Sequence, residues 1–227
     1  MTANIIVRSR LRPLVGPAIT TAIMLAILLA LGVWQLERRE WKLGLLAQID
    51  RAEASPPVPL SAQPRPFTTV SVAGSFRQDL HALYGTDVRL NKLGSYLIEP
   101  LDRPGQETVL VNRGWVPEGT LGDAPAPGPV TGYVRFPVPP GAFTPADDTA
   151  ALHFYTLDPA KIGAALGLTH VASFTLVQLG SGEGFPTAAS ALPRPPNDHL
   201  NYALTWFGLA GTLVVVFTAY ARKVIRA

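Results

Sequence analysis

The run from Pro13 to Leu36, PLVGPAITTAIMLAILLALGVWQL, decides the fold, because its 24 residues hold no charge. At about 1.5 Å per residue, a helix of that length crosses the roughly 30 Å hydrocarbon layer of a bilayer. A second uncharged run of 22 residues, Leu200 to Ala221, LNYALTWFGLAGTLVVVFTAYA, does the same near the other end of the 227-residue chain. The sequence therefore predicts transmembrane helices over 13–36 and 199–221, tails over 1–12 and 222–227, and a domain over 37–198 between them. A cleaved signal peptide is the competing reading of the first run, with Arg8 to Arg12 as its basic region and Ala30-Leu31-Gly32 as a small-residue cleavage site. The run is longer than a usual signal core, and it ends in Trp34-Gln35-Leu36, where a tryptophan suits a membrane interface.

Charge gives the orientation. All 16 acidic residues lie between Glu37 and Asp198 with 13 of the 19 basic ones, so this segment is net −3. Arg8, Arg10 and Arg12 flank one apolar run and Arg222, Lys223 and Arg226 the other. The overall +3 charge is thus a property of the two tails, which removes the case for nucleic-acid binding. Basic residues outside both runs place the tails in the cytoplasm and the domain on the far side. Arg38, Arg39 and Lys42, just beyond the first run, act against that bias. The expected location is the inner (cytoplasmic) membrane of a bacterium, multi-pass, with the main domain in the periplasm.

The absence of cysteine excludes disulfides, thiolate metal sites and C-x-x-C-H haem attachment. Two methionines and four histidines make a poor copper carrier, since copper favours thiolate, thioether and imidazole ligands.

Twenty of the 22 prolines lie between the two apolar runs, a density that interrupts long helices and favours short strands and turns. Phe67 to Phe76 alternates with β-branched residues and reads as a strand, with Gly74 as a bulge. Tyr96 to Leu101, Thr108 to Val111, Tyr133 to Val138 and Ala172 to Leu179 read as further strands. Asp158-Pro159 followed by Ala160 to Leu168 reads as a short helix, with aspartate as N-cap and proline in the first turn. The expected fold class is a membrane protein whose two transmembrane helices flank a mainly antiparallel β domain, an open sheet or small barrel, with one short helix. Leu36 to Arg51 continues the first helix beyond the membrane, because Leu36, Leu43 and Ala47 share a face. Ser55 to Pro66, with five prolines, reads as a linker, and Gly122 to Pro129 and Phe185 to Pro196 as stiff tethers.

The hydrolase signatures G-x-S-x-G, H-E-x-x-H and S-x-x-K are absent, as is a phosphate-cradling glycine loop. Gly180-Ser181-Gly182 reads as a turn, and so does Asp147-Asp148, which lacks further ligands at metal-site spacing. His81, His153 and His170 share no spacing. No catalytic residue is expected. His199 differs, because an ionisable side chain at the mouth of a spanning helix is costly without a partner. At 100° per residue His199, Tyr202, Ala203, Trp206 and Ala210 fall on one stripe. That stripe is either an aromatic belt with a snorkelling histidine or a seat for a flat macrocycle whose iron takes His199 as axial ligand. Arg38, Arg39 and Lys42 would lie at the same boundary if the helices pack together. They suit either lipid phosphates or the carboxylates of such a macrocycle.

Four strings stand in register along nearly the whole chain. They are Gly32-Val33-Trp34-Gln35-Leu36 with Arg38 and Lys42, Val72-Ala73-Gly74-Ser75-Phe76, Leu110-Val111-Asn112-Arg113-Gly114-Trp115-Val116-Pro117, and His199-Leu200-Asn201-Tyr202-Ala203 with Thr205-Trp206-Phe207. Together they resemble the surfeit-locus family of cytochrome c oxidase assembly factors. The resemblance implies a non-enzymatic factor that binds haem a transiently and assists its insertion into subunit I of the oxidase. It implies His199 as the axial ligand, with Trp206 seven residues later packing the ring. It also implies Gly74 as a position where a side chain would disturb the sheet. Subunit I, haem a synthase and membrane lipids are the partners to expect, with a homo-oligomer possible. The chain departs from the family pattern in having Asn197-Asp198 where two asparagines usually precede the histidine; a carboxylate there offers to fix the imidazole tautomer.

Other classes fit less well. A structural scaffold that matures subunit I without binding haem has the same layout. A membrane sensor needs more than the six residues after Ala221, a transporter needs more than two spans, and an external enzyme lacks a catalytic constellation.

Overall fold

The computed structural model describes residues 2–226 apart from 90, 122, 124–127, 182 and 183, and over 2–11 it describes the backbone alone. Gly182 of the expected turn, much of the 122–129 connection and the side chains of Arg8 and Arg10 therefore lie outside the described residues. The chain divides into two compact units, residues 1–47 with 194–227, and residues 48–193.

The first unit is helical. Helix α1 spans Thr2–Ala54 and α3 spans His199–Arg226, with α2 between them in the chain. Each of the two carries a window long and apolar enough to cross a membrane. Helix α1 runs without a break through Glu37–Arg51, as the shared face of Leu36, Leu43 and Ala47 predicts. Pro13 and Pro17 lie within it.

The second unit is a mixed sheet of nine strands, β1 (Val58–Pro59), β2 (Thr69–Val72), β3 (Ser75–Phe76), β4 (Ala82–Arg89), β5 (Lys92–Asp102), β6 (Thr108–Pro117), β7 (Val130–Arg135), β8 (His153–Phe154) and β9 (Val171–Gln178). Its order is β1-β2-β7-β9-β6-β5-β4-β8, with β3 on β5. Most neighbours are antiparallel, as expected, but β6 with β9, β4 with β8 and β1 with β2 are parallel. The corner between β2 and β3 closes the sheet. Residues 69–72 bond to β7, and after the two residues Ala73 and Gly74, Ser75 and Phe76 bond to Asp102 and Leu101 of β5. The expected single strand over 67–76 is therefore two, and the chain changes partner at Ala73-Gly74. Gly74 makes the change possible: a Cβ there would stand 2.6 Å from the Asp102 carbonyl oxygen.

Side-chain alternation gives the sheet two apolar faces. Val109 and Val111 of β6, Phe174 and Leu176 of β9 and Val70 and Val72 of β2 fill the inside. Leu110 and Ile98 point the other way and pack with Ile162 of α2 (Pro159–Ala165) and with Phe154. With both faces covered, β6 is buried almost throughout, which is why its first half, Val109 to Val111, reads as an unbroken apolar run. Helix α2 begins as expected. Asp158 accepts hydrogen bonds from the Ala160 and Lys161 amides, 3.0 and 3.4 Å, though the helix ends at Ala165 rather than Leu168.

Three expectations need correction. Val58–Pro59, inside the presumed linker, is a strand in parallel register with Val70–Ser71. The stretch after Phe185 is no tether in its first half, since Thr187 exchanges two backbone bonds with Trp115 and Ala189 donates to Gln178. The strand expected over 133–138 is β7, shifted toward the N-terminus, because Pro137 has no N–H to continue a ladder.

Candidate functional site

Within the helical unit, small residues set the packing. Ala203 and Ala210 of α3 are 1% and 3% exposed, and Leu28, Gly32 and Gln35 of α1 are buried. The Phe207 ring occupies the place of a Gly32 side chain, 2.5 Å from where its Cβ would be. Ala203 and Ala210 are therefore positions of helix packing rather than an open seat for a macrocycle.

At the start of α3, His199 Nδ1 lies 2.7 Å from Gln35 Oε1. An amide oxygen accepts, so Nδ1 donates, and in the neutral ring this leaves the lone pair on Nε2. A neutral imidazole with one nitrogen held this way is the form that ligates a metal, and the hydrogen bond to the other nitrogen raises its basicity. The partner is not the neighbouring Asp198, whose backbone carbonyl accepts from the Tyr202 amide instead. Gln35 lies within the string Gly32-Val33-Trp34-Gln35-Leu36 without a role that its sequence neighbours assign. The available signal was that Gln35 is the one amide in the uncharged run from Pro13 to Leu36, and a polar side chain in a spanning helix generally seeks a partner across the helix interface.

The six expected site residues separate into two groups. His199, Trp206, Arg39 and Lys42 are all partly buried. Arg39 and Lys42 follow Gln35 by four and seven residues on the same face of α1, about 6 and 10 Å further along the axis. Arg39 is held by Glu40 at 2.9 Å. The indole Nε1 of Trp206 is buried and has no hydrogen-bond partner among the described residues, a buried N–H donor left without an acceptor. Tyr202 and Arg38 are exposed instead. Tyr202 is 57% exposed, and Arg38 is exposed with its guanidinium 4.0 Å from the Trp41 ring centre, a cation–π contact.

Imidazole, buried N–H donor and two cations form a donor set that fits an iron macrocycle bearing carboxylates. Any such ring must lie on an exposed flank of α3, where Tyr202 stands, because the alanine face is closed.

Asp147 and His153 read as structural. Asp147 is not a metal ligand in waiting. Burial acts to raise its pKa, but the Tyr155 amide, the Thr156 hydroxyl and amide, and Lys161 together hold the carboxyl below the usual range. His153 Nε2 lies 2.8 Å from the Gly85 carbonyl oxygen and its ring stacks on Tyr155. Among the described residues no group of three or more metal-ligating side chains assembles.

The sequence pattern of the SURF1 family matches residues 22–211, a span that holds both Gln35 and His199. The chain is 31% identical over 220 residues to a SURF1-like protein of Rickettsia bellii, covering 91% of this chain and 91% of that protein. A SURF1-like protein of Rickettsia felis is 30% identical over 218 residues, 89% of this chain and 96% of its own length. Surfeit locus protein 1 of Mus musculus is 29% identical over 224 residues, 85% and 72% respectively.

Proposed function

The chain belongs to the SURF1 family, and from that premise we propose that it is an assembly factor for haem-copper cytochrome c oxidase that binds haem a and assists its insertion into subunit I. The observation that carries this reading is the His199–Gln35 hydrogen bond, which frees Nε2 at the end of a helix long and apolar enough to span a membrane. The two helices anchor the protein in the inner membrane. Their basic outer flanks leave the tails in the cytoplasm and the sheet unit on the far side.

Each side chain has a task in this reading. Gln35 fixes the tautomer, His199 offers Nε2 to the iron, and the Trp206 N–H meets an acceptor at the edge of the ring. Arg39 and Lys42 neutralise the carboxylates of the cofactor, with Arg38 as a further cation at the same level, and Tyr202 covers the ring from the exposed flank. When bound, the cofactor would supply the iron for which His199 offers its free nitrogen. None of this is catalysis of a covalent step, so the protein acts as a carrier, with haem a synthase before it and subunit I after it.

One observation favours a second reading, a scaffold that matures subunit I without haem: the alanine face that would suit a flat ring is used to pack the helices. The two are separated by purifying the full chain in detergent from cells that make haem a and recording its pyridine haemochrome spectrum. Haem a in the wild type and none in His199→Ala supports the carrier. Subunit I co-purifying with a haem-free wild type supports the scaffold and overturns the carrier.

A further inference from the structure

A cavity of about 360 Å³ opens on the outer face of the sheet unit, between β4, β5, β6, β7, β9 and the stretch that follows Thr187. Its size is at the lower end of small-molecule sites. Two guanidiniums line it, and they are not equivalent. Arg89 is neutralised: its Nε donates to Asp87 at 2.9 Å and its Nη2 to the Tyr96 hydroxyl at 2.9 Å, and that hydroxyl in turn donates to Asp87 at 3.1 Å. Arg135 has no carboxylate within ion-pair distance among the described residues. It is partly buried, and its Nη2 lies 3.4 Å from the Tyr84 hydroxyl.

The cavity thus carries one uncompensated positive charge. A partly buried guanidinium without a counter-charge is costly, and its planar fork matches a carboxylate. The Tyr84 oxygen accepts from Arg135, so its proton is free to point at a ligand. Burial pushes the Tyr96 and Tyr133 phenols up, which keeps them protonated at neutral pH. Apart from Asn112 and Thr187, which are polar but uncharged, the rest of the wall is aromatic or aliphatic, including Val177 and Pro193. A multiply charged anion would find one free cation in an otherwise neutral wall, a poor match. A compact acid with one carboxylate and an apolar body would find both of its ends matched.

We propose that this cavity binds a small monocarboxylate with an aromatic or apolar body, its carboxylate held by Arg135 and the Tyr84 hydroxyl. The site shares no residue with the His199 group and does not depend on the haem reading.

The test uses the full chain in detergent and 4-fluorobenzoate as probe, followed by fluorine NMR against a micelle blank. Saturable broadening and shift with a dissociation constant below about 1 mM is expected. Arg135→Gln should weaken binding by about tenfold or more and Tyr84→Phe by about threefold, since hydrogen bonds to charged groups are the stronger ones. Thermal unfolding of each variant shows whether it is folded; if Arg135→Gln is not, Tyr84→Phe and Arg135→Lys provide the comparison. The neutral 4-fluorobenzamide should not compete, nor should inorganic phosphate at the same concentration. Equal binding by wild type and folded variants, no saturation by 10 mM, or equal competition by the amide or by phosphate would overturn the proposal.

Discussion

At Gln35 a single amide oxygen determines which nitrogen of His199 is available. Replacing it with leucine removes the acceptor while keeping volume and helix propensity. Gln35→Leu should therefore leave the helices folded and lower haem a affinity by about 10–100-fold, the usual effect of losing the partner behind a ligating histidine; a spectroscopic titration checks it. A second residue-scale prediction concerns Arg113, which donates to Glu99 at 2.9 Å with both side chains buried. Glu99→Leu leaves a guanidinium buried without its counter-charge and should cost about 3–5 kcal/mol in denaturant unfolding. Glu99→Leu with Arg113→Met should recover most of that loss, because the cost lies in the unpaired charge. His199 was legible in the sequence because an ionisable side chain at a helix mouth stands out by itself. Gln35 and the Glu99–Arg113 pair were not, because partner choice between residues 164 and 14 positions apart is settled by tertiary packing.

Among the elements, those with a local signal were readable and those defined by a partner were not. Helix α2 announces itself through Asp158 and Pro159, and Asp158→Ala should cost about 1 kcal/mol by exposing the amides it caps. Strand β4 gives no such signal, because Gly85 at positive φ and a register shift between Tyr84 and Asp87 break its alternation. The second half of β6 also hides, since buried Asn112 and Arg113 are not strand-core residue types. The corner at Gly74 was visible as a glycine but not as a change of partner, which depends on where β5 and β7 lie. Gly74→Val should force β3 away from Asp102 and lower the unfolding midpoint of the sheet unit, read by circular dichroism. Acid stability belongs to this scale too. The Asp147 and Asp87 carboxyls are held below the ordinary value, Asp87 by Arg89 first and then by the Tyr96 hydroxyl against the opposing effect of burial. A depressed folded pKa gives stability that is fully present above the unfolded value of about 3.9 and is lost as pH falls through the lower folded value. The unfolding midpoint should therefore drop below about pH 4, and Asp147→Asn should show a shallower fall than the wild type.

For the whole molecule, two apolar helices and the placement of charge were legible because hydrocarbon thickness and the positive-inside bias act on composition alone. The strand order was not, since the parallel pairing of β6 with β9 joins segments far apart in sequence. The chain has no cysteine, so single cysteines report topology without background. Phe143→Cys, at a residue 99% exposed in the sheet unit, should react with an impermeant maleimide in intact cells whose outer membrane is permeabilised. Lys223→Cys should react only after the inner membrane is opened. The central claim is that His199 offers iron its ligand, and the most direct measurement is an optical titration of haem a into haem-free full-length protein, wild type beside His199→Ala. The account predicts a saturable spectrum with bands of an imidazole-ligated haem in the wild type, and loss of those bands in a variant that remains folded. An unchanged spectrum and affinity in His199→Ala would contradict it.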